Sequence, residues 1–493
     1  MEVSSVQFEV VFYLFFCYSF KMENLMEKVI SLCKRRGFIF PGSDIYGGLA
    51  NSWDYGPLGV ELKNNIKREW WRRFVQSRSD VVGIDTALIM NPKVWEASGH
   101  LATFSDPLVE CKKCHLRFRE DMISGKKSFD EAQGKCPECG GELAPPKQFN
   151  LMFKTFIGPA AAMESGEPRP LGGREEKANV AYFRPETAQG MFVNFKNVLD
   201  TTRKRLPFGI AQIGKAFRNE ITPGNFVFRT REFEQMEIEY FIPQPEKDKD
   251  WEKYFEMWLD EMKDWLKNLG VSAKKLHYEE IPAEKRAHYS KRTVDIEYDF
   301  PFGQSELYGL AYRGDFDLKN HAEHSGADLQ YTDPETGKKF LPHVIEPTWG
   351  VDRSVLVAML EAYHEEKAPT ARSTGSGQAG KEEEDARVVM KFPKWLAPVK
   401  VAILPLSKKE ELSEEAKKLY ADLAQDFACE YDETQSIGKR YRRQDEIGTP
   451  YCVTVDFDSL DDKKVTVRDR DTMEQERIAI SDLKEYLVQK LNN

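Results

Sequence analysis

The sequence predicts a mixed α/β (α+β) protein of several domains. Three observations carry this reading. Two strand-like runs, residues 210–220 and 225–241, flank Thr222-Pro223-Gly224-Asn225, turn chemistry that folds a chain back on itself. In the last hundred or so residues, helix and strand patterns alternate, as in a small α/β domain. Between these parts, residues 367–381 are rich in Ala, Ser, Thr and Gly and are followed by Glu382-Glu383-Glu384-Asp385. Such a segment cannot bury apolar surface and reads as a linker. At 493 residues, a soft expectation is about three domains of roughly 150 residues each.

The elements follow in order. Residues 8–20, with Val-Phe-Tyr-Leu-Phe-Phe at their centre, lack a basic flank and a small-residue cleavage site and are too short to span a bilayer. Residues 1–21 therefore read as an extension without function, and no other segment reads as transmembrane. A helix over 22–36 closes at Gly37. Turn residues dominate 40–48 and 54–59. Residues 60–76 place Leu62, Ile66, Trp70 and Phe74 on one helical face, and 81–90 read as a strand ended by Asn91-Pro92. The aromatic stripe over 251–269 reads as the core face of an amphipathic helix capped by Gly270. Beyond the linker come a buried-type strand (399–404), a helix (411–427), strands at 451–456 and 464–469, and a final helix (481–491).

The net charge of −10 and pI near 5.6 exclude indiscriminate nucleic-acid binding by the whole surface, while leaving room for a local basic face. Eight cysteines are too few for a disulfide scaffold in a chain of this length. Cys111-Lys112-Lys113-Cys114 and Cys136-Pro137-Glu138-Cys139-Gly140-Gly141 form two CxxC pairs, while Cys17, Cys33, Cys429 and Cys452 are scattered. The spacing predicts a tetrahedral Zn²⁺ site on Cys111, Cys114, Cys136 and Cys139, the alternatives being a redox pair or a site that has lost its metal. Four protein ligands leave no open position, so the zinc would be structural.

Period-two alternation puts Arg218 and Glu220 on one face of the first strand of the hairpin. On the second it puts Arg229, Arg231, Phe233, Gln235, Glu237 and Glu239 on one face and Phe226, Phe228, Met236, Ile238 and Tyr240 on the other. Arginines suit phosphates, a ring among them suits a base, and glutamates beyond it suit an ammonium group. Taken alone, such a face fits a solvated, salt-bridged sheet surface equally well.

The motifs go further. Phe217-Arg218-Asn219-Glu220, a loop, then Phe228-Arg229-Thr230-Arg231-Glu232-Phe233 resembles the second signature motif of class II aminoacyl-tRNA synthetases. Gly350-Val351-Asp352-Arg353 resembles the third, and the helix over 60–76, the strand over 81–90 and Pro92 resemble the first, all in the family's order. Finer segments are similar to the homodimeric glycyl-tRNA synthetase family. These are Arg36-Gly37-Phe38 with Ser43-Asp44-Ile45-Tyr46-Gly47-Gly48; Arg184-Pro185-Glu186-Thr187-Ala188-Gln189-Gly190; Phe233-Glu234-Gln235-Met236-Glu237; and Val344-Ile345-Glu346-Pro347.

The resemblance implies a class II antiparallel-sheet catalytic domain with flanking helices over 22–366. A zinc-ribbon-like insertion would occupy 108–145, a flexible linker 367–392 and an α/β anticodon-binding domain 393–493. It implies an enzyme that activates glycine with ATP to glycyl-adenylate and transfers glycine to the 3′ end of tRNA(Gly), releasing AMP and pyrophosphate. By the same resemblance, ATP is held by Arg218, Asn219, Glu220, Phe228, Arg229, Thr230, Arg231, Glu232, Phe233, Glu306, Leu307, Gly350 and Arg353, with Arg218 and Arg353 catalytic. Arg218 would bridge the glycine carboxylate and the α-phosphate, Glu220 would accept from the adenine amino group, and Phe233 and Arg353 would take the two faces of adenine. Glu306 would face ATP and its Mg²⁺, a hard ion that wants oxygen ligands. Glycine would be held by Arg119, Glu186, Phe233, Gln235, Glu237, Glu346 and Thr348; the family usually has Ser at the last position, and Thr keeps the hydroxyl.

Lys439-Arg440-Tyr441-Arg442-Arg443-Gln444 is a basic cluster with an aromatic, suited to tRNA or to a merely solvated face. The first motif implies a homodimer, and the whole reading implies a cytoplasmic enzyme with no membrane contact. Two rivals are a relative specific for another amino acid, opposed by Glu186, Glu237 and Glu346, and a non-catalytic paralogue, opposed by the presence of Arg218, Glu220 and Arg353.

Overall fold

The computed structural model describes residues 24–492 apart from 121–122, 124–133, 158–159, 163–167, 171–178, 248, 288 and 368–385. The expected N-terminal extension and most of the expected linker lie outside the described residues.

Helix α1 (residues 24–36) buries Val29, Leu32 and Cys33 and stops at Gly37, which takes a φ of 79° that closes a helix without a Cβ clash. Helix α2 (Pro57–Trp71) opens on a proline, whose missing N–H a first helical turn does not need, and continues as a wider π turn over Arg72–Gln76. Its fully buried Leu62, Ile66, Trp70 and Phe74 form the expected face. The strand expected over 81–90 is much shorter. Strand β1 (Val81–Gly83) ends where Trp71 packs on Gly83 so closely that a Cβ there would lie 2.1 Å from the indole ring. Beyond it the chain leaves the sheet and makes one isolated bridge, Ile89 with Phe183.

Strands β2 (Phe208–Phe217) and β3 (Glu232–Ile242) pair from Phe208↔Phe241 to Phe217↔Glu232. They do not meet in a tight turn at Thr222–Asn225, and this corrects the expected strand limits of 210–220 and 225–241. Residues 218–231 form a long loop because its apolar middle turns inward. Phe226 packs edge-on against Trp53 at 4.6 Å, and Phe228 lies 4.9 Å from both Phe300 and Phe302. Asn225 and Phe226 adopt positive φ (56° and 60°) to allow it.

Helix α3 (Glu252–Asn268) buries Phe255, Trp258, Met262 and Trp265, so the aromatic stripe is core. There follow β4 (Leu276–Glu280), β5 (Arg292–Phe300), β6 (Gly303–Gly314), α4 (Phe316–Ser325), β7 (His343–Gly350) and α5 (Val351–Ala362). The seven strands run in the order β4–β5–β6–β7–β3–β2–β1, antiparallel throughout except that β1 lies parallel to β2. On one face Met236, Ile238, Tyr240 and Trp349 join α2, α3 and α5 in a single core. The opposite face carries the site.

The segment expected as a linker is bounded by pairing strands, Tyr363–Lys367 with Ala386–Met390. Val389 and Met390 bury their side chains, so residues 386–390 form a strand inside the range expected as linker. The C-terminal part comprises β8 (Val401–Pro405), α6 (Glu410–Leu423), β9 (Cys429–Tyr431), α7 (Ile437–Ile447), β10 (Tyr451–Val455), β11 (Lys464–Asp469), β12 (Gln475–Ala479) and α8 (Leu483–Asn492). Its sheet order is β9–β8–β10–β11–β12, parallel around β8 and antiparallel after β10. The expected basic cluster lies on α7, but Arg440 is buried, donating to the carbonyls of Asp432 (3.1 Å) and Leu406 (3.3 Å), and Arg443 pairs with Asp432. Lys439 and Arg442 stay exposed.

Candidate active site

A cavity of about 540 Å³ opens on the sheet face opposite the helices. Alternation along β3 sends Phe233, Gln235 and Glu237 into it, while Met236 and Ile238 go to the core. Glu237 stands opposite Thr348 on β7, Thr348 opposite Gly309 on β6, and Glu346 opposite Ala311. Two small residues thus sit where the neighbouring strands offer acids and a hydroxyl. A Cβ built on Gly309 would have 3.9 Å of clearance to Glu306 and 4.0 Å to Asp295, so the glycine leaves room rather than relieving a clash.

The acidic end is tightly wired. Glu237 uses one carboxylate oxygen to accept from the backbone N–H (3.0 Å) and hydroxyl of Thr187, and the other to accept from Gln235 Nε2 (2.8 Å) and the Thr348 hydroxyl (3.3 Å). Glu186 accepts from Gln189 Nε2 at 2.9 Å and faces His100 at 3.4 Å. Arg184, 1% exposed, holds this segment by donating to Lys215 O (2.7 Å) and Thr86 O (2.9 Å). Beneath lies Arg313, also 1% exposed, which donates to Asp317 (2.7 and 2.8 Å) and to Glu346 (2.7 Å) with the Tyr289 ring 3.7 Å away. Burial opposes charge on Glu186, yet His100 and Arg313 hold its carboxyl well below the usual range. Burial and the charges of Glu237 and Glu186 push Glu346 up to about 8 against the pull of Arg313. Burial and Glu186 also raise Glu237. The pocket is short of positive charge.

The other end is walled by arginines and aromatic rings. Arg218 donates to Pro185 O (3.1 Å), with its guanidinium 5.3 Å from the Phe233 ring and 5.4 Å from Phe104. Glu220 keeps a buried carboxylate oxygen without a hydrogen-bond partner, an acceptor waiting for a donor. Gly350 ends β7 and α5 begins at once, which puts Arg353 in its first turn. That guanidinium lies 4.5 Å over the Phe228 ring and donates to Glu306 O at 2.8 Å. Asp352 fixes this corner, accepting from Tyr55 (2.6 Å), Lys63 (3.1 Å) and the Glu234 N–H (2.8 Å).

Glu306 is the last β6 residue before a register shift in the β5–β6 pairing, with Leu307 as the extra residue, a bulge of the kind that re-aims side chains beside active sites. Burial opposes its charge, while Arg353 and Arg218 lower its pKa. Asp295, close by on β5, is pushed up to about 7 by burial and by Glu306 and Glu297. This mutual repulsion is one a divalent cation would relieve, so the two carboxylates fit Mg²⁺ chemically.

Of the expected site residues, Arg119, Glu186, Arg218, Glu220, Phe228, Arg229 and Thr230 line this cavity, as do Phe233, Gln235, Glu237, Glu306, Leu307, Glu346, Thr348, Gly350 and Arg353. Three stand off its wall. The Asn219 N–H donates to Leu151 O (2.8 Å), Arg231 donates to Ala50 O (3.3 Å), and Glu232 pairs with Lys215. Sequence reasoning missed Asp295, Gly309, Arg313 and Asp317. A lone arginine ending the apolar run Leu307-Tyr308-Gly309-Leu310-Ala311-Tyr312, with an aspartate four residues on, is the signal that would have found the last two.

Beside the cavity, Ser105–Glu110, Arg117–Arg119 and Lys147–Asn150 form a three-stranded sheet that carries Arg119, paired to Asp106 at 3.0 Å. At its far end the sulfurs of Cys111, Cys114, Cys136 and Cys139 lie within 4.8 Å of one another, with contacts of 3.5 Å (Cys111–Cys139) and 3.7 Å (Cys114–Cys136). A tetrahedron of about 2.3 Å Zn–S bonds needs sulfurs about 3.8 Å apart, so the quartet fits zinc. Gly141 is required there, since a Cβ would come within 3.1 Å of Cys111 Sγ and 3.2 Å of Cys139 Sγ. Replacing Cys139 with Ser is expected to reduce bound zinc from stoichiometric to near zero by elemental analysis and to speed proteolysis within 105–150. Full zinc occupancy in that variant would refute the ligand set.

Comparison with known proteins gives two family matches. Residues 173–363 match the "tRNA synthetase class II core domain (G, H, P, S and T)" and residues 400–490 the "Anticodon binding domain". Among curated relatives, the glycine–tRNA ligase of Alkaliphilus oremlandii is 52% identical over 490 residues, spanning 95% of this chain and 99% of the relative. That of Acetivibrio thermocellus is 52% identical over 493 residues (96% and 100%), and that of Bacillus anthracis 52% over 487 (94% and 99%).

Proposed function

The chain belongs to the glycine–tRNA ligase family of class II aminoacyl-tRNA synthetases, and from that premise we propose how its residues perform the reaction. The enzyme activates glycine with ATP and transfers it to tRNA(Gly). One observation carries the residue-level reading: a single strand, β3, presents Phe233 toward the nucleotide recess and Gln235 and Glu237 toward the acidic pocket, with Arg218 above the junction.

In the first step a glycine carboxylate oxygen attacks the α-phosphorus. A P–O bond forms, the bond to the β-phosphate oxygen breaks, and pyrophosphate leaves. Arg218 lies between the two anions and offsets the charge that builds on the phosphate oxygens. Phe233 stacks on adenine, the unpartnered oxygen of Glu220 accepts from its amino group, and Arg353 swings from Phe228 to the other face of the base and the γ-phosphate. Glu306 and Asp295 would hold Mg²⁺, which supplies charge neutralisation at the phosphates when bound. Glu186, Glu237 and Glu346 take the ammonium, Thr348 adds a hydroxyl, and Arg119 borders the substrate. In the second step a hydroxyl of the terminal tRNA ribose attacks the adenylate carbonyl, and AMP leaves with the phosphate oxygen.

Glycine offers no side chain to grip, so selection rests on exclusion. Gly309 and Ala311, the small residues among the acids, are the positions where that exclusion is set. Gly309→Val is expected to lower kcat/KM for glycine about ten- to a hundredfold by overfilling the pocket, with KM for ATP little changed. An unaltered glycine KM would remove Gly309 from the pocket. The reading as a whole is tested by charging unfractionated tRNA with labelled amino acids, where glycine alone should become acid-precipitable with the nucleic acid.

A zinc quartet with no open position is proposed to brace the sheet that carries Arg119. A homodimer is proposed through the region after β1, where Leu88 and Ile89 are exposed large apolar residues. No helix among the described residues is long and apolar enough to cross a membrane. The cytoplasm is the proposed site of action, supported by the membership of the family.

A further inference from the structure

Glu239 lies two residues past Glu237 on the same face of β3, yet it neither lines the cavity nor pairs with a cation. It is 0% exposed, and among the described residues neither carboxyl oxygen has a hydrogen-bond partner. A buried ionised carboxylate left this way would carry a desolvation penalty that proteins avoid by neutralising the group. The strand register shows what it faces. Glu237↔Thr348 and Tyr240↔Ile345 bracket the pairing of β3 with β7, so Glu239 stands opposite Glu346. Directly opposed residues have Cβ atoms about 5 Å apart, and like charges there are destabilising. Among the described residues, the charged groups of the other packed elements are already engaged. Glu237 is on its own strand, Arg313 on β6 is shared between Asp317 of α4 and Glu346, and His100 faces Glu186. Its partner on β2 is Ile210. Burial first, then the charges of Glu346, Glu237 and Asp317, raise the Glu239 carboxyl well above the usual range against the pull of Arg313.

We propose that Glu239 is a positioning residue for the amino acid: it stays protonated, and when Arg313 and the substrate ammonium together hold Glu346 ionised, its O–H donates across the strands to that carboxylate, orienting it toward the ammonium. Glu346 uses one oxygen on Arg313 (2.7 Å), and its other oxygen is the acceptor assigned to Glu239. The neutral carboxyl solves two problems together. It adds no further negative charge to the acidic end of the cavity, where Glu186, Glu237 and Glu346 already gather, and it gives the ammonium-binding acid a second donor that fixes its direction. This inference rests on the assignment of Glu346 to the ammonium of glycine.

The test compares two substitutions in the full-length enzyme. Glu239→Leu removes the donor, and it should raise KM for glycine roughly tenfold or more, the loss of one hydrogen bond to a charged acceptor, with a smaller effect on kcat. Glu239→Gln keeps a neutral donor of the same shape and should restore KM to within about threefold, the difference between a neutral amide and a carboxyl donor. Infrared spectroscopy supplies a readout that packing alone does not move. With glycine bound at pH 8, the natural enzyme should show a carbonyl stretch of a protonated carboxylic acid, sensitive to D₂O, that is missing from the Glu239→Gln spectrum recorded under the same conditions. If Glu239→Gln weakens glycine as much as Glu239→Leu, or if no such band is lost in Glu239→Gln, the proposal is overturned. Should Glu239→Leu fail to fold, the Gln variant and the infrared band still decide. Absence of glycine-dependent exchange in the natural enzyme would instead strike the functional reading, and the infrared band would stand apart from it.

Discussion

Glu237→Gln is expected to abolish glycine-dependent ATP–pyrophosphate exchange while leaving the fold intact. Both oxygens of Glu237 accept only from donors: the Thr187 N–H and hydroxyl on one side, Gln235 Nε2 and the Thr348 hydroxyl on the other. An amide must therefore turn its NH₂ toward a donor. The local remedy is available, because Gln235 Oε1 is buried without a partner and a flip of that amide lets it accept from the new NH₂. The packing survives, and what is lost is the negative charge. Truncating one member of a buried charge pair costs about 2–5 kcal/mol, which is roughly thirty- to several-thousandfold in kcat/KM for glycine. Circular dichroism melting should show little change, and near-normal exchange would remove Glu237 from the ammonium site.

Arg218→Ala is the second large effect. Its guanidinium is held by Pro185 O at 3.1 Å and flanked by the Phe104 and Phe233 rings, so it is oriented before either substrate arrives. A preorganised donor of this kind acts on charge that develops in the transition state, and its removal should lower kcat about a hundred- to a thousandfold. KM for glycine and ATP should move much less. Arg218→Lys should not rescue, because a point charge cannot bridge two anions as a planar fork does. A loss confined to KM would make Arg218 a binding group only.

Much of this site was legible in the sequence because strand alternation is a local rule. Phe233, Gln235 and Glu237 could be placed on one face before any coordinates, and the two CxxC pairs could be read as one cluster although the chain between them is long. The failures are equally physical. Residues 218–220 and 225–231 read as strand on either side of a turn because Phe226, Val227 and Phe228 look like strand residues, while Phe226 packs on Trp53 and Phe228 on Phe300 and Phe302, outside the sheet. The strand over 81–90 ends early because Trp71 crowds Gly83, a contact between elements that no local pattern reports. Arg313, Asp317 and Glu346 come from β6, α4 and β7, and only the folded sheet brings them together. Arg440 shows the reverse: a residue that reads as part of a basic surface is consumed by buried carbonyls.

The central claim is that one cavity reads ATP at one end and glycine at the other, and the measurement that tests it most directly is ATP–pyrophosphate exchange by the purified full-length enzyme with a panel of amino acids. Exchange should depend on glycine and should stay near background with alanine, serine, threonine, proline and histidine, the outcome expected if the acids around Gly309 and Ala311 select by excluding a side chain. Efficient exchange with any of the larger amino acids, or none with glycine, would contradict it.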